Sequence, residues 1–299
     1  MSGITSFLES FRFLEDPRIQ GLITYPLDEL LLTTLSAVLC GCKDWDEISY
    51  WGTCHIEWLR QFLPFTNGVP TAQTFNRVFS AIDSQMFNIS FERWVNSLRN
   101  NCEHKHIAVD GKTVRGSKQS QDGSGAIHIV SAFATEHGLV IGQQKVADKS
   151  NEITAIPELL ERLALEGSVV TIDAMGTQKE IASKICSKKA DYILALKENH
   201  KELHEDVSLF FTSNDKDVVW DDAVDTDAGH GRIEVRSCTV TKEVDWLKKR
   251  HPVWQGLSSI VRIESLRMHK KSGDSTKEVR YYISSLSRNA AQVSKLIVT

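Results

Sequence analysis

No stretch of this sequence is both apolar and long enough to cross a membrane. The longest candidate, LLLTTLSAVLCGC (Leu30 to Cys42), falls short of the roughly 20 residues a spanning helix needs, is broken by Gly41 and runs into charge. The opening residues, MSGITSFLESFRFLED, show no basic segment leading into an apolar one. No secretory signal is therefore expected, and a cytoplasmic protein is. Cysteine is sparse: the six residues, at positions 40, 42, 54, 102, 186 and 238, form no CxxC. That pattern indicates neither a zinc site nor a disulfide scaffold and leaves reduced thiols as the expectation. A basic surplus is missing too, since the net charge is -4, so no global nucleic-acid field is expected. His55, His104 and His106 lack metal-ligand spacing, GSGAIH lacks the strand, glycines and helix order of a dinucleotide fold, and no internal repeat is found.

What is present is ordinary for a core of one large or two smaller domains: 41% hydrophobic and 25% charged residues in 299. Charge is segregated locally. Basic clusters stand at Lys112–Lys118, Lys184–Lys189, Lys248–Arg250 and Arg267–Lys271, and acids gather at Asp215–Asp227. Any one cluster is most simply a solvated face, but together they permit a basic face.

The first hundred residues read as helical. PLDELLLTTLSAVLCG carries apolar positions all round, as a buried helix does, while HIEWLRQFL and FERWVNSLRN are amphipathic. In NGVPTAQTFNRVFSAI, Thr71 follows Pro70 as a candidate N-cap. Phe75, Val78 and Phe79 are spaced for one face, with Gln73, Asn76 and Arg77 outward. Such a helix could enter a DNA groove; packing in a bundle is the commoner role. The tryptophans at 45, 51, 58 and 94 are expected in the core.

From His106 the period changes. HIAVD, AIHIVSAFAT and LVIGQQKV read as strands, the last two joined by a turn at Glu136, His137 and Gly138. NEITAIPELLERLAL then reads as a helix, SVVTIDA as a strand, TQKEIASKICSKKA as a helix and DYILALK as a strand. This order predicts an α/β fold, a mixed sheet covered by helices. HKELHEDVSLFF is expected to be helical and to be followed by an acidic loop. RIEVRSCTVT, LSSIVRIESLRM and EVRYYISSL are expected as three strands, and NAAQVSKLIVT begins as a helix.

Asp110 and Asp173 end apolar strands in the same way, in IAVD-GK and VTID-AMG. If the strands are neighbours, both carboxylates project into one crevice at the carboxyl edge of the sheet. Close carboxylates repel unless a cation lies between them. Hard divalent ions take such oxygens together with water and phosphate oxygens, which suits metal-assisted phosphoryl transfer. Lys112, Arg115 and Lys118 could hold a polyanionic backbone over the acids. The plainer reading makes each aspartate a turn or cap residue.

The segments IAVDGKTVRGS, GAIHIVSAFATEHGLVIGQQKV, KSNEITAIPELLERL, VTIDAMGTQKEIASKI, DYILALKENHKEL, GHGRIEVRSCTV and VRYYISSL resemble, in that order, the ISAs1 family of insertion-sequence transposases, which includes the H-repeat-associated proteins. The resemblance spans essentially the whole chain. It implies a small helical domain over residues 1–103 and, over residues 104–299, a ribonuclease-H-like mixed sheet with a β-rich insertion at about 212–286.

It also implies an Asp-Asp-Glu triad using Mg²⁺ or Mn²⁺, with Asp110 and Asp173 matching the first two acids. The partners implied are DNA, at the element's terminal repeats and at the target, and a possible second copy of the chain; no membrane is involved. Lys197, in LKENHKEL, is a candidate phosphate contact, and His230, Arg232 and Arg236, in GHGRIEVR, are candidates to face DNA. In the family the third acid lies in a His-Trp-x-x-Glu-Asn segment after a helix that follows VRYYISSL. The chain ends at NAAQVSKLIVT before reaching it, so a truncated, incomplete enzyme is expected. Glu234 is the weaker candidate for a third metal ligand, pairing with an arginine being preferred. Two rivals stand beside this reading: a DNA-binding remnant that inhibits an intact relative, and a metal-dependent nuclease unrelated to transposition.

Overall fold

The computed structural model describes residues 3–98, 106–114, 126–136, 138–146, 152–213, 217–229, 232–269 and 274–297. The chain forms two compact units, Met1–Cys102 and Glu103–Thr299.

Among its described residues the first unit holds six α-helices: α1 (Gly3–Phe11), α2 (Leu27–Leu39), α3 (Trp45–Cys54), α4 (Ile56–Leu59), α5 (Ala72–Ala81) and α6 (Ser84–Leu98). In α2 three consecutive leucines, Leu30, Leu31 and Leu32, are all buried. They feed three separate apolar clusters, with Phe75 and Val78, with Phe7 and Phe11, and with Leu59 and Phe65. Consecutive residues on a helix point about 100° apart, so α2 is the element around which the others pack. Asp44 caps α3, its Oδ1 accepting the Glu47 N–H at 2.8 Å, while Glu47 Oε2 accepts the Lys43 N–H at 2.6 Å.

Two local expectations are corrected here. The helix expected over HIEWLRQFL stops at Leu59. Pro64 disfavours helical backbone at Leu63, and the next residue, Phe65, takes φ 47 and gives its N–H to the buried Glu29 Oε1 at 2.7 Å. Thr71 does precede α5, but its side chain makes no capping hydrogen bond. The faces of α5 follow the spacing: Phe75 and Val78 are buried, and Gln73, Asn76 and Arg77 are exposed.

The second unit is built on one nine-stranded sheet. Its elements are β1 (His106–Thr113), β2 (His128–Ala134), β3 (Leu139–Lys145), α7 (Glu152–Arg162), β4 (Val169–Ile172), α8 (Lys179–Ser187), β5 (Asp191–Leu196), α9 (Lys201–Thr212), β6 (Asp221–Gly229), β7 (Arg232–Thr241), α10 (Asp245–Arg250), β8 (Ser259–His269), β9 (Ser275–Ser284) and α11 (Ala290–Ile297). The strand order is β3-β2-β1-β4-β5-β9-β8-β7-β6. Strands β1, β4 and β5 run parallel and all other neighbours antiparallel. The fold class is thus α/β with a mixed sheet. Helices α7 and α8 pack on each other, α7 against β2 and β3 and α8 against β5. Helix α11 lays Ala290 and Val293 on Cys238, Val240, Val261, Ile263 and Tyr282.

The acidic loop expected after α9 is in part a strand. DDAVDTDAG forms β6 at the sheet edge, paired along its whole length with β7. Its composition is poor in strand formers. An edge strand needs only one partner, however, and exposed acids there discourage pairing with a further chain. The β-rich segment therefore extends the central sheet through the β5–β9 pairing and is no separate layer.

Candidate metal and nucleic-acid site

The parallel register of β1 and β4 sets the site. Val109 is the partner of Ile172, the last matched pair, so the next residues, Asp110 and Asp173, stand at equivalent positions on strands about 5 Å apart. Alternation along β1 places His106, Ala108 and Asp110 on one face and Ile107, Val109 and Gly111 on the other. Asp110 and Asp173 line one cavity of about 300 Å³ with Thr171, Ala195, Lys197, Arg280 and Tyr282. The structure brings the two sequence-nominated acids together.

The loop after β4 is fixed by polar bonds. Asp173 Oδ1 accepts the N–H groups of Met175 at 3.1 Å and Gly176 at 3.2 Å. The plain turn role is thus real, and the same carboxylate faces the cavity. The fully buried Thr177 hydroxyl lies 2.7 Å from the Ala195 carbonyl and 3.1 Å from that of Asp173. Asn199 Nδ2 donates to the Ala174 carbonyl at 2.6 Å, and His200 Nε2 lies 2.6 Å from the Thr177 carbonyl. The ends of β4 and β5 are thereby tied together.

Lys197 is exposed and lines both this cavity and a neighbouring one of about 610 Å³, with Met175, Gln178, Asn199 and His204. Arg280 was not nominated by the sequence. The β5–β9 register pairs Leu196 with Tyr281, so Arg280 comes level with Lys197; only that long-range pairing puts it in the cavity. Arg280 Nε donates to Glu278 Oε1 at 2.7 Å, and this bond, with further help from Lys197, holds the Glu278 carboxyl below its ordinary range.

The other nominated residues are dispersed. Lys112 is exposed on the Asp110 face of β1, and Arg232 is exposed at the start of β7. Glu234, only 4% exposed, is bound by Arg236 Nη2 and Arg267 Nε, both at 3.0 Å. Arg236 therefore serves that pair. Arg115, Lys118 and His230 lie outside the described residues, as does His137 of the β2–β3 turn.

Glu152 is a further carboxylate that sequence reasoning missed. Burial raises its pKa above the ordinary glutamate value, the charges of Asp173 and then Asp110 raise it further, and His128 opposes them. A signal was available in Gly111, a glycine inside a strand, which often marks a close approach.

The donor set is oxygen only, as hard divalent ions prefer. Among the described residues no three His, Cys, Asp or Glu side chains are gathered closely enough to hold an ion. Two carboxylates with room for water fit Mg²⁺ or Mn²⁺ better than they fit a closed cage. No helix of the described residues is long and apolar enough to cross a membrane.

Residues 101–297 match the family described as Transposase DDE domain, and residues 8–95 match DDE_Tnp_1-associated. The chain belongs to the DDE transposase family. It is 41% identical over 298 residues to "Putative transposase YncI" of Escherichia coli O157:H7, covering 99% of this chain and 76% of that protein. It is 36% identical over 299 residues to "H repeat-associated putative transposase YhhI" of Escherichia coli strain K12, covering 98% and 79%. A protein of Xanthobacter autotrophicus, from the dhlA 3' region, is 40% identical over 277 residues, covering 92% of each chain. A piggyBac transposase synaptic complex with hairpin DNA gives a TM-score of 0.38 at 11% identity, over 95% of this chain and 57% of that one; a likeness this loose carries no argument.

Proposed function

We propose that this chain serves DNA strand cleavage and strand transfer at the ends of an insertion sequence of the ISAs1 type, with a ribonuclease-H-like catalytic unit and Asp110 and Asp173 as its first two acids. The observation that carries the reading is the cavity shared by these two carboxylates, with Lys197 and Arg280 on its wall. Asp110 and Asp173 would hold Mg²⁺ or Mn²⁺, which supplies charge neutralisation at a reacting phosphate. Lys197 and Lys112, both exposed beside the acids, hold the phosphate backbone, and the bonds of Thr177 and Asn199 keep Asp173 in register with Asp110. These side chains provide position and charge rather than covalent chemistry. The partners are the terminal repeats, target DNA and, for paired ends, a second copy of the chain; the compartment is the cytoplasm.

The His-Trp-x-x-Glu-Asn segment that bears the third acid in the resembling family does not occur within these 299 residues. DNA binding at element ends needs the exposed cations and not that acid, so binding and cutting by these residues are separable. In the rival reading the chain is a DNA-binding remnant that competes with an intact relative. A strand-cleavage assay on element-end DNA with Mg²⁺ or Mn²⁺, run beside a gel shift, tests both. Binding is expected, and binding without any cutting would favour the remnant reading. Robust cutting that Asp110→Asn and Asp173→Asn abolish would keep the transposase assignment and overturn the remnant reading. Absence of DNA binding at low salt would remove the assignment itself.

A further inference from the structure

Glycine inside a strand costs about 0.5–1 kcal/mol relative to alanine, and Gly111 lies inside β1, directly after Asp110. The space where its side chain would stand is taken. A Cβ built on Gly111 would overlap the carboxyl carbon and both oxygens of Glu152. Glu152 is the first residue of α7, and α7 is packed on β2 and β3, so the helix delivers this carboxylate onto the backbone of β1. Strand β4 ends at Ile172 while β1 runs on to Thr113. Beyond Val109 the β4 side of β1 is therefore open, and the Glu152 carboxylate, lying against Gly111 on the face of β1 opposite Asp110, stands one residue from Asp110 at that open edge.

An acid in the first turn of a helix gains from the helix dipole while fully exposed. That benefit explains neither the partial burial of Glu152 nor the missing side chain at position 111. Half-buried at the start of α7 and seated against the residue that follows Asp110, Glu152 stands where a cation held by the two aspartates would find a further acceptor.

We propose that Glu152 is a third carboxylate of the cation site, standing behind Asp110 and Asp173 and adding its charge and its hydrogen-bond acceptors to theirs. It is a positioning residue. No three such side chains close on an ion among the described residues, so Glu152 acts through the water shell that Mg²⁺ and Mn²⁺ retain. Groups in that outer position typically change metal affinity by about 10- to 100-fold. The inference rests on the reading of Asp110 and Asp173 as the cation-binding pair.

The test is Mn²⁺ binding to the 299-residue chain without DNA, followed by the electron paramagnetic resonance signal of the free ion. Wild type is compared with Glu152→Gln, Glu152→Asp, Gly111→Ala, Asp110→Asn and Asp173→Asn, with circular dichroism to confirm folding. Glu152→Gln is expected to weaken Mn²⁺ binding at least about tenfold. Gly111→Ala should do the same with the glutamate still present, because the carboxylate is pushed off the strand; Glu152→Asp should fall between. If Glu152→Gln does not fold, Gly111→Ala and Glu152→Asp carry the comparison. Wild-type affinity in the folded Glu152 and Gly111 variants, with loss in both aspartate variants, overturns the inference and leaves the pair standing. No Mn²⁺ binding by wild type, or unchanged binding in the aspartate variants, overturns both.

Discussion

Glu234 on β7 and Arg267 on β8 are direct cross-strand partners, with Arg267 Nε 3.0 Å from Glu234 Oε1. Arg236 reaches the same oxygen from two residues along β7. The carboxylate is buried, whereas the Arg267 side chain is 40% exposed. Replacing Glu234 by alanine should therefore strand two cations that water can still reach, at a loss of about 1–3 kcal/mol. Urea unfolding of Glu234→Ala is the measurement. Mn²⁺ affinity should stay at the wild-type value, and a parallel loss of affinity would return Glu234 to the metal site.

Acid should weaken the β7–β9 region. Burial raises the Glu234 pKa, but hydrogen bonds from Arg267 and Arg236 outweigh it, and the net value lies below the ordinary one. A hydrogen bond from Lys277 lowers Glu264, and one from Arg280 lowers Glu278. Depressed folded values mean that the charged forms favour the fold. The contribution is complete above the unfolded glutamate value of about 4.3 and disappears as pH falls through the lower folded values. These three glutamates should add nothing to the change in melting temperature from pH 7 to about 5 and should lower it below that. Glu264→Gln should flatten the drop slightly, since a pair this exposed is worth under about 1 kcal/mol. An unchanged acid limb in Glu264→Gln combined with Glu278→Gln would remove these pairs from the account.

Glu29 works in the opposite sense. It is 3% exposed; its Oε1 accepts the Phe65 N–H, and its Oε2 has no hydrogen-bond partner among the described residues. Burial raises its pKa above the ordinary value, and the neighbouring Asp28 adds to the rise. A raised folded value favours the protonated form, so its contribution to stability is complete below the unfolded value and is lost as pH rises through the folded one. Glu29→Gln should raise the melting temperature by a few degrees at pH 8 and leave it nearly unchanged at pH 4. An equal shift at both pH values would show that packing, not charge, is responsible.

How much of this was legible varies with the range of the interaction. Asp110 and Asp173 could be named because each ends an apolar run and their alignment needs only two neighbouring parallel strands. Arg280 could not, because its place depends on β9 pairing with β5 across more than eighty residues of chain. Glu152 depends on how α7 packs, and only Gly111 hinted at it. Strand β6 escaped because propensity speaks against DDAVDTDAG, and pairing with β7 overrides it. The short α4 reflects in part Pro64, which the sequence shows, and in part a tertiary bond from the Phe65 N–H to Glu29, which it does not.

Thr177 links strand packing to the site. Its hydroxyl is fully buried between the carbonyls of Asp173 and Ala195. Thr177→Val keeps the shape and leaves both acceptors without that donor, which should cost about 1–3 kcal/mol. Because one acceptor belongs to Asp173, Mn²⁺ affinity should fall as well. Stability lost with affinity intact would mean that Asp173 holds its place through the Met175 and Gly176 N–H groups alone.

DNA binding should separate the exposed cations from the paired ones. Lys197 and Lys112 are exposed, one lining the cavity and the other on the Asp110 face of β1. Each phosphate contact removed lowers the slope of log affinity against log salt by about one. Gel shifts across a salt series should therefore show Lys197→Ala and Lys112→Ala each binding element-end DNA more weakly, with a shallower slope. Arg236 is held by Glu234, so Arg236→Ala should lose stability in urea while the salt slope stays at the wild-type value. A shallower slope for Arg236→Ala, with wild-type slopes for both lysine variants, would move the DNA path from the Asp110 and Asp173 edge to the surface of β7.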